Sequence, residues 1–470
     1  MITHLSLKNF KAWEDSGPIK LGSITAFFGS NSSGKTSFLQ SLLLMKQTIE
    51  SADRGRVLDL GGTPSALVNL GTFEDVIFQH DRSRAMEMAL SWAEGKDIEV
   101  RDPEETSRRA PIVSSRDLSL SVRISEVGSF PAVEEVRYGL GDLSFSLSRM
   151  QTTRERYELT SAGFRFKRAT GRAWPLPPPG KFYSFPDEVR AYFRNASFLS
   201  DLELRFENLF SRVFYLGPMR QDPERQYIWS GGRPVDVGRR GEFTVDALIA
   251  SQTDGKVNSR GFVTRKDGGR RRTPRISMEQ HVAEWLTELG LISAFEVRAV
   301  DERKTLYRVN VRRGPGSPSV LLTDVGFGVS QVLPVLVLLA YAPEGSTVLL
   351  EQPEIHLHPA VQAALADIII EAAKARGIQI IMESHSEHLL MRLQRRIAEQ
   401  DLDRGIQLLP EDCELYFCDF VDGSSRVERL RMDKYGNIAN WPKDFFGDSL
   451  GEAAATTRAA RKRAIRERSA

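Results

Sequence analysis

One segment constrains this chain more than any other: Gly29-Ser30-Asn31-Ser32-Ser33-Gly34-Lys35-Thr36. The apolar run at 24–28 before it predicts a buried strand, and the largely apolar segment 37–45 after it predicts a helix. A strand, a glycine-rich loop and a helix in this order form the context that a P-loop requires. An ordinary Gly/Ser turn is the alternative interpretation, and the predicted elements on both sides make it the weaker one.

The residue types in this loop suit a triphosphate. Glycines let the backbone curl so that successive N–H groups point at phosphate oxygens. The Lys35 ammonium adds a positive charge for the β- and γ-phosphates, and the Thr36 hydroxyl is placed to hold Mg²⁺. The following helix adds the positive end of its dipole. We therefore predict ATP and Mg²⁺ as cofactors, with ATP held by Gly29, Ser30, Asn31, Ser32, Ser33, Gly34, Lys35, Thr36 and Ser37.

Composition is typical of a folded, water-soluble protein, since 41% of the residues are hydrophobic and 27% are charged. The length of 470 residues is enough for two or three domains, or for one domain with a large insertion. The apolar segment 332–340 is too short to cross a bilayer, so no membrane partner is expected, and the first residues do not resemble a secretory signal. Cys413 and Cys418 would face opposite sides of a predicted strand, which favours neither a disulfide nor a metal pair. These features predict a cytoplasmic protein.

Two basic segments stand out against a net charge of only +2. One lies at 260–275 and the other in the tail at 458–468. Both could meet a phosphate backbone, and a solvated loop and a frayed tail are the alternatives. The candidate DNA-binding residues are Arg265, Lys266, Arg270, Arg271 and Arg272.

The middle of the chain has a different pattern from its ends. From 82 to 215, apolar and polar residues alternate with period two in several short runs, which predicts antiparallel strands separated by turns. The Pro-rich stretch 175–180 marks a loop, and Gly217-Pro218-Met219-Arg220 suggests a positioned loop. A helix is predicted at about 278–289, and no sustained heptad pattern indicates a coiled-coil arm.

Three further motifs follow one another near the C-terminal end. The segment 324–331 is a glycine/serine turn that opens an apolar helix at 332–339, a geometry that can bind anions. The strand at 347–351 ends in Glu351, and the strand at 378–383 is followed by His385. Ligands of an open α/β sheet gather at the carboxyl ends of its strands, so we expect these polar residues beside the P-loop.

With these motifs the chain resembles an ATP-binding-cassette ATPase of the SMC/RecF/OLD group, and within it a bacterial predicted-ATPase family with a short C-terminal tail in place of a nuclease domain. The resemblance covers residues 1–80 and 321–446, and the middle only through 217–220. It implies the α/β fold of an ABC-type P-loop ATPase head, with a central sheet flanked by helices and a large, strand-rich insertion. The predicted parts are a first ATPase segment (1–81), the insertion (82–215), an Arg-rich loop with a helical segment (216–320), a second ATPase segment (321–446) and a basic tail (447–470).

The resemblance also implies roles for single residues. The loop 29–36 is the Walker A motif, 348–351 is the Walker B strand, and His385 is the switch histidine that senses the γ-phosphate. Thr36 and Glu351 hold Mg²⁺, and Gln79 is a further candidate as the Q-loop glutamine. Such ATPases bind two ATPs between two heads, which implies a homodimer or a higher even oligomer. The signature motif at 326–331 would close on the P-loop of the second copy, through Gly326, Gly328 and Ser330.

Two departures from the family pattern concern the chemistry. The signature reads Gly-Phe-Gly-Val-Ser-Gln, which leaves open whether the Gly326 backbone or the Ser330 hydroxyl touches the γ-phosphate. Gln352 occupies the position of the glutamate that usually activates water, and an amide cannot accept a proton from water at neutral pH. Either Glu354 takes over or hydrolysis is slow, and we favour slow hydrolysis. The candidate catalytic residues are Glu351, Gln352, Glu354 and His385.

A metal cluster is a competing interpretation of the same region. A zinc or di-metal nuclease site could draw on His356, His358, His385 and His388 with Glu351, Glu354 and Glu383. The ATPase motifs already account for these residues in order, so the cluster is the weaker hypothesis. The residues after His385 are too few for the nuclease domain of OLD-type enzymes and lack its Asp-x-Asp pair, so no nuclease activity is expected.

The family resemblance favours an ATP-driven sensor or clamp subunit in a bacterial anti-phage defence system. Such a subunit would bind DNA or a phage component and control a separate effector, a nuclease or a toxin. A RecF-like ATPase of DNA repair or recombination is the first alternative. The ATPase subunit of a transporter is the second, and the signature motif and the large insertion disfavour it.

Overall fold

The structure is a computed structural model. It describes residues 1–101, 111–151, 155–169, 174–255, 257–259, 262–264, 270–399, 406–442, 445 and 455–460, and all structural statements below concern these residues.

The elements are numbered in chain order. The first part of the chain forms β1 (Ile2–Phe10), β2 (Trp13–Asp15), β3 (Ile19–Lys20), β4 (Ile24–Gly29) and α1 (Lys35–Glu50). The next part forms α2 (Phe73–Val76), β5 (Met86–Val100), β6 (Val113–Val127), β7 (Phe130–Leu140), β8 (Leu143–Arg149), β9 (Tyr157–Ala162), α3 (Glu188–Tyr192), α4 (Phe198–Ser211) and β10 (Val213–Leu216).

A third group of elements consists of β11 (Tyr227–Ile228), α5 (Thr244–Asp254), β12 (Val257–Ser259), β13 (Phe262–Thr264), β14 (Arg270–Arg272), β15 (Arg275–Ser277), α6 (Met278–Glu288), β16 (Ala294–Ala299), β17 (Leu306–Arg312) and β18 (Val320–Leu321). The last group consists of α7 (Phe327–Tyr341), β19 (Thr347–Glu351), α8 (Pro359–Arg376), β20 (Gln379–Glu383), α9 (Glu387–Glu399), β21 (Cys413–Val421) and β22 (Ser424–Arg429).

A six-stranded sheet in the order β10-β19-β20-β4-β21-β22 is the centre of the fold. Its first five strands are parallel, and β22 returns antiparallel to β21. Because the carboxyl ends of parallel strands share one edge, the residues after β4, β19 and β20 come together there. The α/β class predicted from the sequence is confirmed.

Helices cover both faces of this sheet, and alternate residues of each strand enter one of two hydrophobic cores. Phe27, Leu349 and Ile381 lie in the core that α1 covers, with Phe38 stacked on Phe27 at a centroid distance of 4.5 Å. Ala26, Leu350, Met382 and their neighbours enter the opposite core, which contains the buried side chains of α6 to α9. Helix α7 is buried from 329 to 340, which suits a segment that is apolar on all sides.

The period-two segments predicted in the middle of the chain form an antiparallel sheet in the order β2-β1-β5-β6-β7-β8-β9, with β3 paired to β1. Strand β1 of this sheet lies within the predicted segment 1–81 and pairs with β5 of the predicted insertion. Conversely, β10 lies at the end of the predicted insertion and pairs with β19 in the central sheet. Strands therefore cross the predicted boundaries in both directions, and the division into segments stays a prediction.

Candidate nucleotide-binding site

The predicted P-loop connects the carboxyl end of β4 to the start of α1. Gly29 (φ 139°) and Gly34 (φ 87°) adopt positive φ, as does Ser32 (φ 62°). A Cβ added at Gly29 would lie 1.9 Å from the Cys418 carbonyl oxygen, so only glycine fits against the neighbouring strand. Both the positive φ and the close approach explain why this loop contains glycine at its two ends.

Lys35 folds back over the loop that precedes it. Its Nζ donates to the carbonyl oxygens of Gly29 at 3.2 Å and Ser30 at 2.6 Å, and the side chain is only 3% exposed. Burial lowers the pKa of the Lys35 ammonium, and the nearby Glu383 carboxylate opposes this change. A positive charge is thus held at the mouth of the loop, where the phosphates of a nucleotide would lie.

Thr36 contacts the carboxylate of Glu383, whereas the sequence predicted Glu351 as the acidic residue that shares its metal ion. The Thr36 hydroxyl donates to Glu383 Oε2 at 2.6 Å, and Glu383 Oε1 lies 4.0 Å from Lys35 Nζ. Glu383 ends β20, which lies between β4 and β19 in the sheet. From the sequence, Glu383 is a candidate only for the hypothetical metal cluster, because its contact with Thr36 depends on the strand order.

Glu351 lies next to Glu383 in register, one strand further from the P-loop. The Tyr215 hydroxyl from β10 donates to Glu351 Oε1 at 3.0 Å. Burial raises the pKa of the Glu351 carboxyl to about 7, and the neighbouring Glu383 carboxylate adds to the rise. Burial likewise raises the pKa of Glu383, while the hydrogen bond from Thr36 and the charge of Lys35 oppose it.

The donor set fits a magnesium ion. Mg²⁺ prefers oxygen ligands and is commonly held by one or two carboxylates together with substrate phosphates. The hydroxyl of Thr36 and the carboxylates of Glu383 and Glu351 supply such oxygens at the mouth of the P-loop. In the described part of the chain, no group of three or more His, Cys, Asp or Glu side chains is arranged to hold a metal ion, so the zinc or di-metal hypothesis gains no support.

Gln352, at the position of the usual catalytic glutamate, has a strained backbone. Its φ is 44°, a left-handed conformation that is uncommon for a residue with a side chain, and its N–H donates to the Glu383 carbonyl oxygen at 2.9 Å. The hydrogen bond joins the first residue after β19 to the last residue of β20. The Gln352 side chain is half-buried, and Gln352 directly follows Glu351 in the sequence.

Glu354 is turned away from solvent and towards His385. Its Oε1 accepts a hydrogen bond from the His385 backbone N–H at 2.7 Å, and the residue is 5% exposed. Burial raises the pKa of the Glu354 carboxyl, and the His385 N–H opposes this rise. This contact makes Glu354 a support of the histidine loop and does not favour it as the residue that activates water.

His385 follows β20 and is placed near the same carboxylate as Lys35. Its Nε2 lies 4.0 Å from Glu383 Oε1. Burial lowers the pKa of the His385 imidazole, and the charge of Lys35 lowers it further. The lowered pKa favours the neutral imidazole, which can hydrogen-bond to a phosphate oxygen.

The predicted signature residues form the first turn of α7. Gly326 caps the helix, and a Cβ added there would meet nothing within 4 Å, so this turn faces open space. Phe327 is 52% exposed and packs edge-on against His356. Gly328 is half-buried beside Leu357, and the Ser330 hydroxyl donates to the Phe327 carbonyl oxygen at 2.8 Å within its own helix.

The positions of Gln79 and of the DNA-binding candidates do not indicate a role for these residues. Gln79 is exposed and left-handed (φ 56°), with its amide nitrogen near the β21–β22 turn at Gly423. Arg265 and Lys266 lie outside the described residues. Arg270–Arg272 is strand β14, whose backbone pairs with β13.

Arg220 was missed as a site residue, although the Gly-Pro-Met-Arg segment after a strand had marked its loop. It is 6% exposed, and its Nη2 lies 3.4 Å from the Glu351 carbonyl oxygen. Its Nε and Nη1 have no hydrogen-bond partner among the described residues, and burial lowers the pKa of this guanidinium to about 10. Arg220 and Tyr215 thus contact Glu351, at the end of β19, from the side opposite to the P-loop.

Two family matches cover parts of the chain. Residues 255–392 match a family described as "AAA domain, putative AbiEii toxin, Type IV TA system", and residues 408–455 match a protein family of unknown function, DUF3696. The first match includes the signature segment, β19 and β20, and it confirms the recognition of an ATPase domain. No curated protein matches the chain. Among the described residues, no helix is long and apolar enough to span a bilayer.

Solved structures of SMC heads are similar to the chain at low identity. An SMC head bound to the C-terminal winged-helix domain of ScpA is 13% identical, with a TM-score of 0.45, covering 92% of this chain and 99% of that one. The SMC head domain from Thermotoga maritima is 13% identical, with a TM-score of 0.38 and the same coverage. An SMC head with an extended coiled coil, bound to a ScpA domain derived from Pyrococcus furiosus, is 10% identical, with a TM-score of 0.41, covering 98% and 99%. At these identities and TM-scores the similarity identifies no site residue, and the geometry of the site itself is the basis for its assignment.

Proposed function

We propose that this protein is an ABC-type ATPase that binds ATP with Mg²⁺, hydrolyses it slowly and acts as a sensor or clamp subunit. One observation carries the proposal: the P-loop and the carboxylates of Glu351 and Glu383 converge at one edge of the central sheet. The loop supplies backbone N–H groups and the Lys35 ammonium to the phosphates. Bound Mg²⁺ would neutralise charge on the β- and γ-phosphates.

The residues after β19 and β20 define what the site does with a bound nucleotide. A neutral His385 can donate a hydrogen bond to the γ-phosphate and so distinguish ATP from ADP. Gln352 can orient a water molecule through its amide, but it has no basic group to accept a proton. Glu354 is held by the His385 backbone. We therefore expect slow hydrolysis and a long-lived ATP-bound state.

A second copy would complete the site. Helix α7 starts at Gly326, which faces open space, and the first N–H groups of a helix are the ones that can bind an anion. Exposure of Phe327 beside it supplies an apolar contact for a partner surface. Two copies arranged so that Gly326 and Gly328 of each meet the phosphates held by the other would form an ATP-dependent homodimer. In that assembly the Ser330 hydroxyl acts through the helix that contains it, because it is buried and bonded to Phe327.

Control of a separate effector is the biological role that we infer. The family that matches 255–392 is described through a putative toxin of a toxin–antitoxin system, which supports a role in bacterial defence. ATP binding would hold two heads together and keep a nuclease or toxin inactive, and recognition of DNA or a phage component would release it. The basic segment around β14 is the part proposed to meet DNA.

The function is tested by measuring ATP binding, ATP hydrolysis and co-purifying proteins in cells that contain the chain. We expect the wild type to bind ATP and to retain an effector in an ATP-dependent manner. Lys35→Ala should lose about 10- to 100-fold in ATP affinity, since charge-assisted hydrogen bonds to phosphate are lost. Lys8→Ala, which removes an exposed lysine of β1, is the matched control and should behave as the wild type. A wild type that neither binds nor hydrolyses ATP would overturn the proposal.

A further inference from the structure

The hydrogen bond from Thr36 to Glu383 points to a task for a residue to which the family resemblance gives no role. The donor–acceptor distance is 2.6 Å, and the carboxylate is 5% exposed, so the bond is shielded from solvent. The Thr36 hydroxyl has one proton to donate and two lone pairs to offer. With its proton directed at Glu383, its lone pairs are left for another partner.

The sheet order explains why this carboxylate, and not Glu351, receives the proton. Neighbouring strands lie about 4.8 Å apart, so β20 ends one spacing from the P-loop strand and β19 ends two spacings away. Glu351 is also engaged from the far side by the Tyr215 hydroxyl. Glu383 is therefore the acidic group at the Thr36 side of the site.

Glu383 is itself held in place by groups on several elements. Its backbone carbonyl accepts from the Gln352 N–H, and its Oε1 lies 4.0 Å from both Lys35 Nζ and His385 Nε2. A carboxylate in this position has one oxygen for Thr36 and the other near two groups that would contact phosphate. Its geometry is thus linked to the P-loop, the switch histidine and the loop after β19.

We propose that Glu383 is the positioning residue of the metal site: its carboxylate holds the Thr36 hydroxyl proton, so that the Thr36 oxygen presents its lone pairs to the Mg²⁺ of the bound nucleotide. The inference rests on the proposed function, since it concerns how that site takes its metal ion. Groups that orient metal ligands in this way commonly contribute 10- to 100-fold to metal affinity. Glu351 then faces the metal ion from the adjacent strand.

The test compares two conservative variants by the ratio of the ATP Kd in EDTA to the ATP Kd in Mg²⁺. Glu383→Gln keeps the length of the side chain and an acceptor oxygen but loses the charge. Glu383→Asp keeps the charge but withdraws the carboxylate from Thr36. If hydrogen-bond geometry is what matters, the ratio falls about 10-fold or more in the Asp variant and less in the Gln variant. Binding of Mn²⁺ to the ATP complex, followed by electron paramagnetic resonance, should give the same ranking.

A Thr36→Val background shows whether the effect passes through the hydroxyl. There, neither Glu383 variant should lower the ratio further, because the shared hydrogen bond is already absent. Glu158→Gln, an exposed charge change on β9, is the control and should leave the ratio unchanged. ATP binding in EDTA confirms that each variant retains a folded P-loop.

Three results would overturn the inference alone: an unchanged ratio in both Glu383 variants, a greater loss in Gln than in Asp, or losses that persist in full in the Thr36→Val background. These results contradict the inference when the wild type itself binds ATP more tightly in Mg²⁺ than in EDTA. A wild type that does not bind ATP in either buffer would instead overturn the proposed function.

Discussion

The His385 backbone N–H donates a hydrogen bond to Glu354 Oε1 at 2.7 Å, which ties the loop after β19 to the loop after β20. The two residues belong to motifs that are usually assigned separate tasks. Here a buried carboxylate of the first loop fixes the backbone of the second, where the imidazole would meet the γ-phosphate. The positions of the two loops are therefore linked by this hydrogen bond.

Replacement of Glu354 separates this supporting role from a role as the catalytic base. In Glu354→Gln the amide oxygen can still accept from His385, so we expect near wild-type ATP turnover. Glu354→Ala leaves the buried N–H without a partner and should lower the free energy of unfolding by about 1–3 kcal/mol. Urea unfolding and steady-state ATPase rates check both. Loss of turnover in the Gln variant, with stability retained, would identify Glu354 as the base.

Gln352→Glu is expected to raise the rate of ATP hydrolysis. A carboxylate at this position can accept a proton, and a general base typically contributes about 10²- to 10⁴-fold. The single-turnover rate with saturating ATP and Mg²⁺ is the appropriate measurement. Gln352→Ala, which lacks any group to orient water, should not be faster than the wild type. An unchanged rate in the Glu variant would show that another step limits turnover.

The stability of the nucleotide-free protein should fall as the pH rises. The pKa of Glu351 is raised from 4.5 to about 7 in the folded protein. Between these values the folded state binds more protons than the unfolded chain, so the free energy of unfolding decreases with pH, by about 3 kcal/mol for this group. Urea unfolding in EDTA at pH 5 and pH 8 measures the change.

Glu351→Gln identifies the source of this pH dependence, because an amide does not titrate. We expect a smaller fall in the free energy of unfolding between the two pH values than in the wild type. Glu158→Gln changes the charge by the same amount at an exposed site and should keep the full fall. Equal falls in the wild type and Glu351→Gln would show that Glu351 is ionised in both the folded and the unfolded states.

DNA binding should depend on the basic segment at β14. Replacing Arg270, Arg271 and Arg272 by alanine should weaken binding and reduce the slope of log K against log salt by up to about 3, since each phosphate contact releases counterions. Fluorescence anisotropy with duplex DNA over a range of salt concentrations measures both. Alanines at Arg298, Arg303 and Arg313, three exposed arginines nearby in the chain, serve as the control. An equal effect in both triple variants would assign binding to overall charge.

Local patterns in the sequence predicted the elements of the site well. The strand–loop–helix unit around Lys35 and the strands that end at Glu351 and Glu383 occur where their apolar runs placed them. The helix predicted at 278–289 is α6. The apolar helix predicted at 332–339 is the later part of α7, which starts earlier, at Phe327 within the segment predicted as a turn. Each of these depends on periodicity and on glycine positions, which are properties of short segments.

The partners of the site residues could not be obtained in this way. Thr36 meets Glu383 because β20 lies between β4 and β19, and no local pattern specifies that order. The same holds for Tyr215, which reaches Glu351 from β10, and for Arg220, whose guanidinium is buried behind it. Glu354 was a candidate base in the sequence, and only folding turned it towards His385.

The sequence by itself determined that a glycine-rich loop with the P-loop pattern lies between a buried strand and a helix, and that acidic residues end two later strands. Only the tertiary structure decided which carboxylate contacts Thr36 and which groups support the other. The physical reason is that hydrophobic periodicity specifies the face that each strand buries, whereas lateral strand order comes from the packing of helices over the whole sheet.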